Sequence, residues 1–104
     1  MPQFSDSELT AAVVRSFENT ANPRVKFLME ELVTSLHDFV RKTELTFEEW
    51  NYAIDFLTRT GQKCSPIRQE FILLSDVLGV SMLVDAVNHR ERDGATETTV
   101  LGPF

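Results

Sequence analysis

The sequence predicts an all-α fold: a small helical domain of about five helices with an extended C-terminal tail. Three observations predict it. Apolar residues recur at spacings of three and four from Leu9 to the neighbourhood of His89. Helix-start signals stand at Asn22-Pro23, at Thr46-Phe47-Glu48-Glu49 and at Ser65-Pro66. From Ala95 onward the helical periodicity stops, and a Thr-rich, β-branched stretch reads as extended. Residues 1–94 are therefore assigned to the helical domain and residues 95–104 to an extended linker.

The first helix starts at a cap provided by Asp6 or Ser7 and places Leu9, Val13 and Phe17 on one face. It is short and needs a partner surface. The second starts at Asn22 with Pro23 as its first helical residue, and runs to about Lys42. Val25, Leu28, Met29, Leu32, Leu36, Phe39 and Val40 form its stripe, while Phe27 and Val33 lie off it. Apolar residues beyond one stripe imply contact with more than one surface, either two neighbours in the monomer or a second subunit. The third opens with the Thr46…Glu49 capping box, carries Trp50, Ile54 and Leu57, and closes at Gly61. Ser65-Pro66 opens the fourth, which Gly79 interrupts, and Ser81 caps a short last helix from Met82 to His89.

The most apolar stretch, Phe71 to Val87, contains Asp76 and Gly79 near its middle, which argues for a core segment rather than a membrane span. The 104 residues suffice for one domain and are marginal for two. A formal net charge of -6 and the absence of a basic cluster argue against nucleic-acid partners and anionic membrane surfaces. The single cysteine, Cys64, forms no internal disulfide and fits a reducing cytoplasm. The start lacks the basic and apolar regions of a signal peptide, so a soluble cytoplasmic protein is expected.

The residues taken alone supply no complete active site. His37 and His89 lie in different helices without metal-ligand spacing and read as ordinary histidines. Lys63 stands beside Cys64, but no His-containing triad accompanies it, so Cys64 reads as a plain buried or surface thiol. Glu30-Glu31 and Glu48-Glu49 are adjacent pairs that point apart, and Tyr52 is expected to pack. Asp76 has two readings. It faces solvent or bonds near the Gly79 helix end, or, framed by Leu73 and Val77, it accepts hydrogen bonds from a small hydroxylated ligand.

Three linked stretches, Leu45-Thr46-Phe47-Glu48-Glu49-Trp50, Asp55 to Gln62 and Arg68 to Gly79, resemble the N-terminal domain of intradiol ring-cleavage dioxygenases. The tail Ala95 to Phe104 resembles the segment leading into the catalytic β-sandwich of that family. The hydroxyquinol-cleaving branch is nearest and the catechol-cleaving branch next. The resemblance implies a ferric iron held by two tyrosines and two histidines of the C-terminal domain. No such ligand carries over to this chain: Tyr52, His37 and His89 do not match ligand positions. The chain alone is therefore expected to hold no cofactor and to cleave no ring.

The resemblance also implies that Leu73, Asp76, Val100, Leu101, Gly102, Pro103 and Phe104 line the substrate pocket, with Asp76 marking the hydroxyquinol branch. It further implies a homodimer through the N-terminal helices, which enclose an apolar channel that can hold a phospholipid or fatty acid. The spare apolar residues of the 23–42 helix suit such an interface. The rival reading is a standalone helical dimerisation or lipid-binding module derived from the same domain. The extended segment argues against it, because an isolated strand leaves its backbone groups unpaired.

Overall fold

The computed structural model describes residues 5–92. Among these it contains five helices: α1 Asp6–Arg15, α2 Pro23–Thr43, α3 Phe47–Gln62, α4 Glu70–Val77 and α5 Val80–Arg92. The extended segment expected at 95–104 and the domain boundary at 94 lie outside the described residues. The chain divides into two compact units, Met1–Trp50 and Asn51–Phe104.

In the first unit α1 packs on α2. The α1 cap is Ser5, one or two residues before the expected Asp6 or Ser7. Its Oγ accepts from the Glu8 N–H at 3.1 Å while Glu8 Oε1 accepts from the Ser5 N–H at 2.9 Å, a complete capping box. Asp6 then falls inside the first turn, where its charge complements the positive helix end. A ten-residue helix is marginal alone, and a polar knot ties this one down. Thr10 Oγ1 lies 2.6 Å from His37 Nδ1, and Arg41 Nη2 donates to the Asp6 carbonyl at 3.0 Å and to Thr10 Oγ1.

Asn22 caps α2 as expected, its Oδ1 accepting from the Arg24 and Val25 N–H groups at 2.9 and 3.1 Å. The helix ends where Glu44 turns left-handed, φ 52°, with Arg41 and Lys42 complementing the negative end. The Thr46 capping box is present: Thr46 Oγ1 accepts from the Glu49 N–H at 3.1 Å and Glu49 Oε1 from the Thr46 N–H at 3.0 Å. Thr46→Ala is expected to destabilise the protein by about 1 kcal/mol. A thermal melt followed by circular dichroism should show a midpoint lower by about 4–8 °C.

In the second unit three boundaries differ from expectation. Gly61 does not close α3, which continues to Gln62. A Cβ at Gly61 would meet the Phe71 ring at 3.7 Å, so its small size lets that ring approach. Ser65-Pro66 does not open a helix. Ser65 and Arg68 exchange two backbone hydrogen bonds, at 2.8 and 3.1 Å, and close a tight turn. Pro66 suits the second position of a turn as well as a first helical position, so the dipeptide does not discriminate. The helix starts at Glu70, capped by Gln69, whose Oε1 accepts from the Phe71 N–H at 3.2 Å. Finally, α5 begins at Val80, directly after Gly79 at φ 78°, so Ser81 lies within the first turn and is not its cap. No Cβ contact would arise at Gly79, so Gly79→Ala acts through backbone strain alone. It is expected to cost about 1 kcal/mol, read as a shift in the urea midpoint without a change in slope.

Thr60 is the one buried residue identified among the described residues, and no large apolar side chain is fully shielded. On α2, Val25, Leu28, Leu32, Leu36, Phe39 and Val40 all remain between 45% and 53% exposed. On α4 and α5, Ile72, Leu73, Val77, Leu83 and Val84 are likewise open, as is Leu78 between them. Each unit thus leaves an apolar face open for contact.

Candidate functional site

The C-terminal half of α3 and the whole of α4 shape a hollow of about 230 Å³. Phe56, Leu73, Leu74 and Val77 supply its apolar wall, and Arg59, Lys63 and Glu70 its charged rim. Two of the rim charges have partners. Arg59 Nε donates to Asp55 Oδ2 at 2.9 Å, and Glu70 Oε1 accepts from Arg68 Nε at 2.8 Å. The Glu70 hydrogen bond and charge raise the Arg68 pKa above its ordinary value.

Leu73 thus lies in this hollow. Asp76 stands one turn further along α4 and is exposed, outside the hollow's lining. Among the described residues no donor reaches its carboxylate, while its backbone carbonyl accepts from the Gly79 N–H at 3.1 Å. Leu73, Val77 and Leu78 around it are all open to solvent. The position is locally unfavourable for a negative charge, because the last turn of α4 contains no basic residue and carries the negative end of the helix. The other expected site residues, Val100, Leu101, Gly102, Pro103 and Phe104, lie outside the described residues. Leu73 and Asp76 are the part of the expected site that α4 brings together.

The remaining chemistry-bearing side chains serve the fold. Cys64 Sγ is placed to donate to Gln69 Oε1 at 3.3 Å and to the Thr60 carbonyl at 3.7 Å, where it acts as a donor joining the end of α3 to the start of α4. Tyr52, expected to pack, is 71% exposed on α3. His37 belongs to the α1–α2 knot, and His89 Nδ1 lies 3.2 Å from Asp85 Oδ1 within α5. Among the described residues no group of three or more His, Cys, Asp or Glu side chains is placed to hold a metal ion. No helix among them is long and apolar enough to cross a membrane.

Two polar arrangements were not legible in the sequence. The Thr10–His37–Arg41 knot joins residues 27 and 31 positions apart and carries no periodic signal. Ser75 and Ser81, whose hydroxyls lie 2.7 Å apart, meet only because the backbone reverses at Gly79.

Comparison with known proteins decides the family. Residues 22–96 match the family described as Catechol dioxygenase N terminus. The chain belongs to this family. It is 52% identical, over its full length, to the 6-chlorohydroxyquinol 1,2-dioxygenase of Cupriavidus pinatubonensis, and covers 38% of that relative. It is 54% identical to the hydroxyquinol 1,2-dioxygenase of Corynebacterium glutamicum, over 95% of this chain and 33% of the relative. The crystal structure of hydroxyquinol 1,2-dioxygenase from Pseudomonas putida DLL-E4 is similar with a TM-score of 0.80 and 60% identity, covering 95% of this chain and 35% of that one. The chain therefore spans about a third of the length of the relatives it matches, and corresponds to their helical N-terminal domain.

Proposed function

We propose that this domain serves a hydroxyquinol-cleaving intradiol dioxygenase as its dimerisation element and as one wall of its substrate pocket. The observation that carries this reading is the 60% identity and matching fold with a hydroxyquinol 1,2-dioxygenase across 95% of the chain. In such a reaction both atoms of dioxygen enter across the bond between two hydroxylated ring carbons, and the ring opens to a dicarboxylate. Ferric iron supplies the oxygen chemistry in that family. The described residues assemble no set of ligands for it, so no step is assigned to them through the metal.

The role of this chain's residues is recognition. Hydroxyquinol carries a third hydroxyl that catechol lacks. A fixed carboxylate can accept from that hydroxyl, and the same carboxylate left unpaired disfavours a diol. Asp76 suits the part: it has no donor among the described residues, sits among apolar neighbours and opposes the α4 dipole. A residue that breaks local rules without local compensation is the kind retained for function. Leu73 adds an apolar contact one turn away, and Val100, Leu101, Gly102, Pro103 and Phe104 complete the wall.

The open stripe of α2 supports a homodimer, and the apolar space between two such stripes suits the chain of a phospholipid or fatty acid. A cytoplasmic setting fits the unpaired thiol and aromatic-compound catabolism. Oxygen uptake by the full-length protein tests the reading. Hydroxyquinol is expected to drive stoichiometric uptake, and the 104-residue chain alone none. A full-length, iron-loaded protein that consumes oxygen with neither hydroxyquinol nor catechol would remove the proposal.

A further inference from the structure

We propose that the hydrogen bond between Ser75 and Ser81, closed across the Gly79 elbow, is a positioning device that fixes Asp76 for substrate selection. The inference rests on the reading of Asp76 as an acceptor for the third hydroxyl and goes beyond it.

A carboxylate is ordinarily aimed by what its oxygens bond to. Asp76 has no such anchor among the described residues, so its direction is set by the backbone that carries it. That backbone is held from both sides. On one side, Ser75, its immediate neighbour, places Oγ 2.7 Å from Ser81 Oγ in the first turn of α5. On the other, the Asp76 carbonyl accepts from the Gly79 N–H at 3.1 Å, and the Leu78 N–H donates to the Leu74 carbonyl at 3.0 Å. Gly79 at φ 78° makes the sharp reversal that lets α5 start at Val80 and brings Ser81 back over Ser75.

Both hydroxyls are half-buried, so water competes for them less than at an open surface. Each hydroxyl has one proton to donate and lone pairs to accept, so the pair is satisfied whichever donates. α4 is only eight residues long, and this side-chain bond ties its last turn to the first turn of α5. Loosening it lets the last turn of α4, and Asp76 with it, sample directions that miss the substrate hydroxyl. The catechol reaction, which has no third hydroxyl to meet, is indifferent to that freedom. Ser75 and Ser81 are thus positioning residues acting through Asp76.

The test uses the full-length enzyme and reads kcat/KM for hydroxyquinol and catechol in Ser75→Ala, Ser81→Ala, Asp76→Ala and the Ser75→Ala/Asp76→Ala double variant. Loss of one neutral hydrogen bond is expected to lower the hydroxyquinol-to-catechol ratio by about two- to tenfold in either serine variant. Ser75→Thr, which keeps the hydroxyl, should restore it. In the Asp76→Ala background, Ser75→Ala should change the ratio no further, because the group being aimed is gone. Equal losses on both substrates, or a ratio that still falls in the Asp76→Ala background, would overturn the positioning role while leaving Asp76 as acceptor. An Asp76→Ala variant with unchanged ratio would overturn the acceptor reading itself. If Ser75→Ala does not fold, Ser81→Ala removes the same bond from the other helix and decides the question.

Discussion

If α2 pairs two copies as proposed, replacing Leu32 and Leu36 by aspartate is expected to convert the dimer into a monomer. The reason lies in the length and pattern of α2. Its 21 residues extend about 31 Å at 1.5 Å per residue. Leu32 and Leu36 are one turn apart near its middle, within a stripe that starts at Val25 and ends at Val40. The α1–α2 knot uses His37 and Arg41 beside the C-terminal end of this stripe, where Val40 shares a hollow with Asp6 and Leu9 of α1. Leu32 and Leu36 are 50% and 53% exposed.

Covering a leucine stabilises by about 1.5–3 kcal/mol when the burial is complete. Two leucines lost, with two carboxylates forced into their place, amount to more than about 3 kcal/mol, or over 100-fold in dissociation constant. Light scattering coupled to gel filtration reads the outcome directly. The unsubstituted chain should elute with the mass of a dimer and the double variant with that of a monomer. Helical circular dichroism should survive, because neither residue contributes to the α1–α2 knot. An unsubstituted chain that remains monomeric at high concentration would remove the interface.

The comparison between what the sequence implies and what the fold contains turns on where the deciding interaction is local. The Asn22 and Thr46 caps were legible because each is complete within four residues: a side-chain acceptor, a free N–H and, at Thr46, a returning glutamate. The α2 stripe was legible because its period is written along one helix. Ser65-Pro66 was misread because turn and helix start use the same two residues, and the choice is made by Arg68, whose backbone closes the turn. Gly61 was misread as a stop because glycine's other use, admitting a ring such as that of Phe71, depends on a residue ten positions away. Tyr52 was expected to pack on the strength of its place in the helix, but its direction around α3 leaves it open. At the site, Leu73 and Asp76 were singled out as neighbours, and α4 does carry both. What no periodicity could supply was the Ser75–Ser81 bond, since both are ordinary polar residues until the Gly79 reversal brings them together.

On the proposed function, the largest effect is expected from Asp76→Ala in the full-length protein. Hydroxyquinol kcat/KM should fall by about 10- to 100-fold, and catechol kcat/KM should change by less than about threefold. The magnitude follows from the type of bond. A hydrogen bond to a charged acceptor contributes about 1.5–3 kcal/mol, which converts to this range. The asymmetry follows from the substrate. Catechol offers no third hydroxyl for the carboxylate to accept from, so on this reading its removal costs that diol nothing. Asp76→Asn separates charge from geometry. The amide keeps an acceptor oxygen of the same reach but lacks the charge, so hydroxyquinol turnover should fall between that of the parent and that of Asp76→Ala. Stability separates this role from a structural one. The side chain opposes the α4 dipole, so its removal should hold or raise the melting temperature while selectivity collapses. Equal loss on both substrates together with a lowered melting temperature would assign Asp76 to the fold. Selectivity lost at undiminished stability is the signature of a residue kept for the substrate.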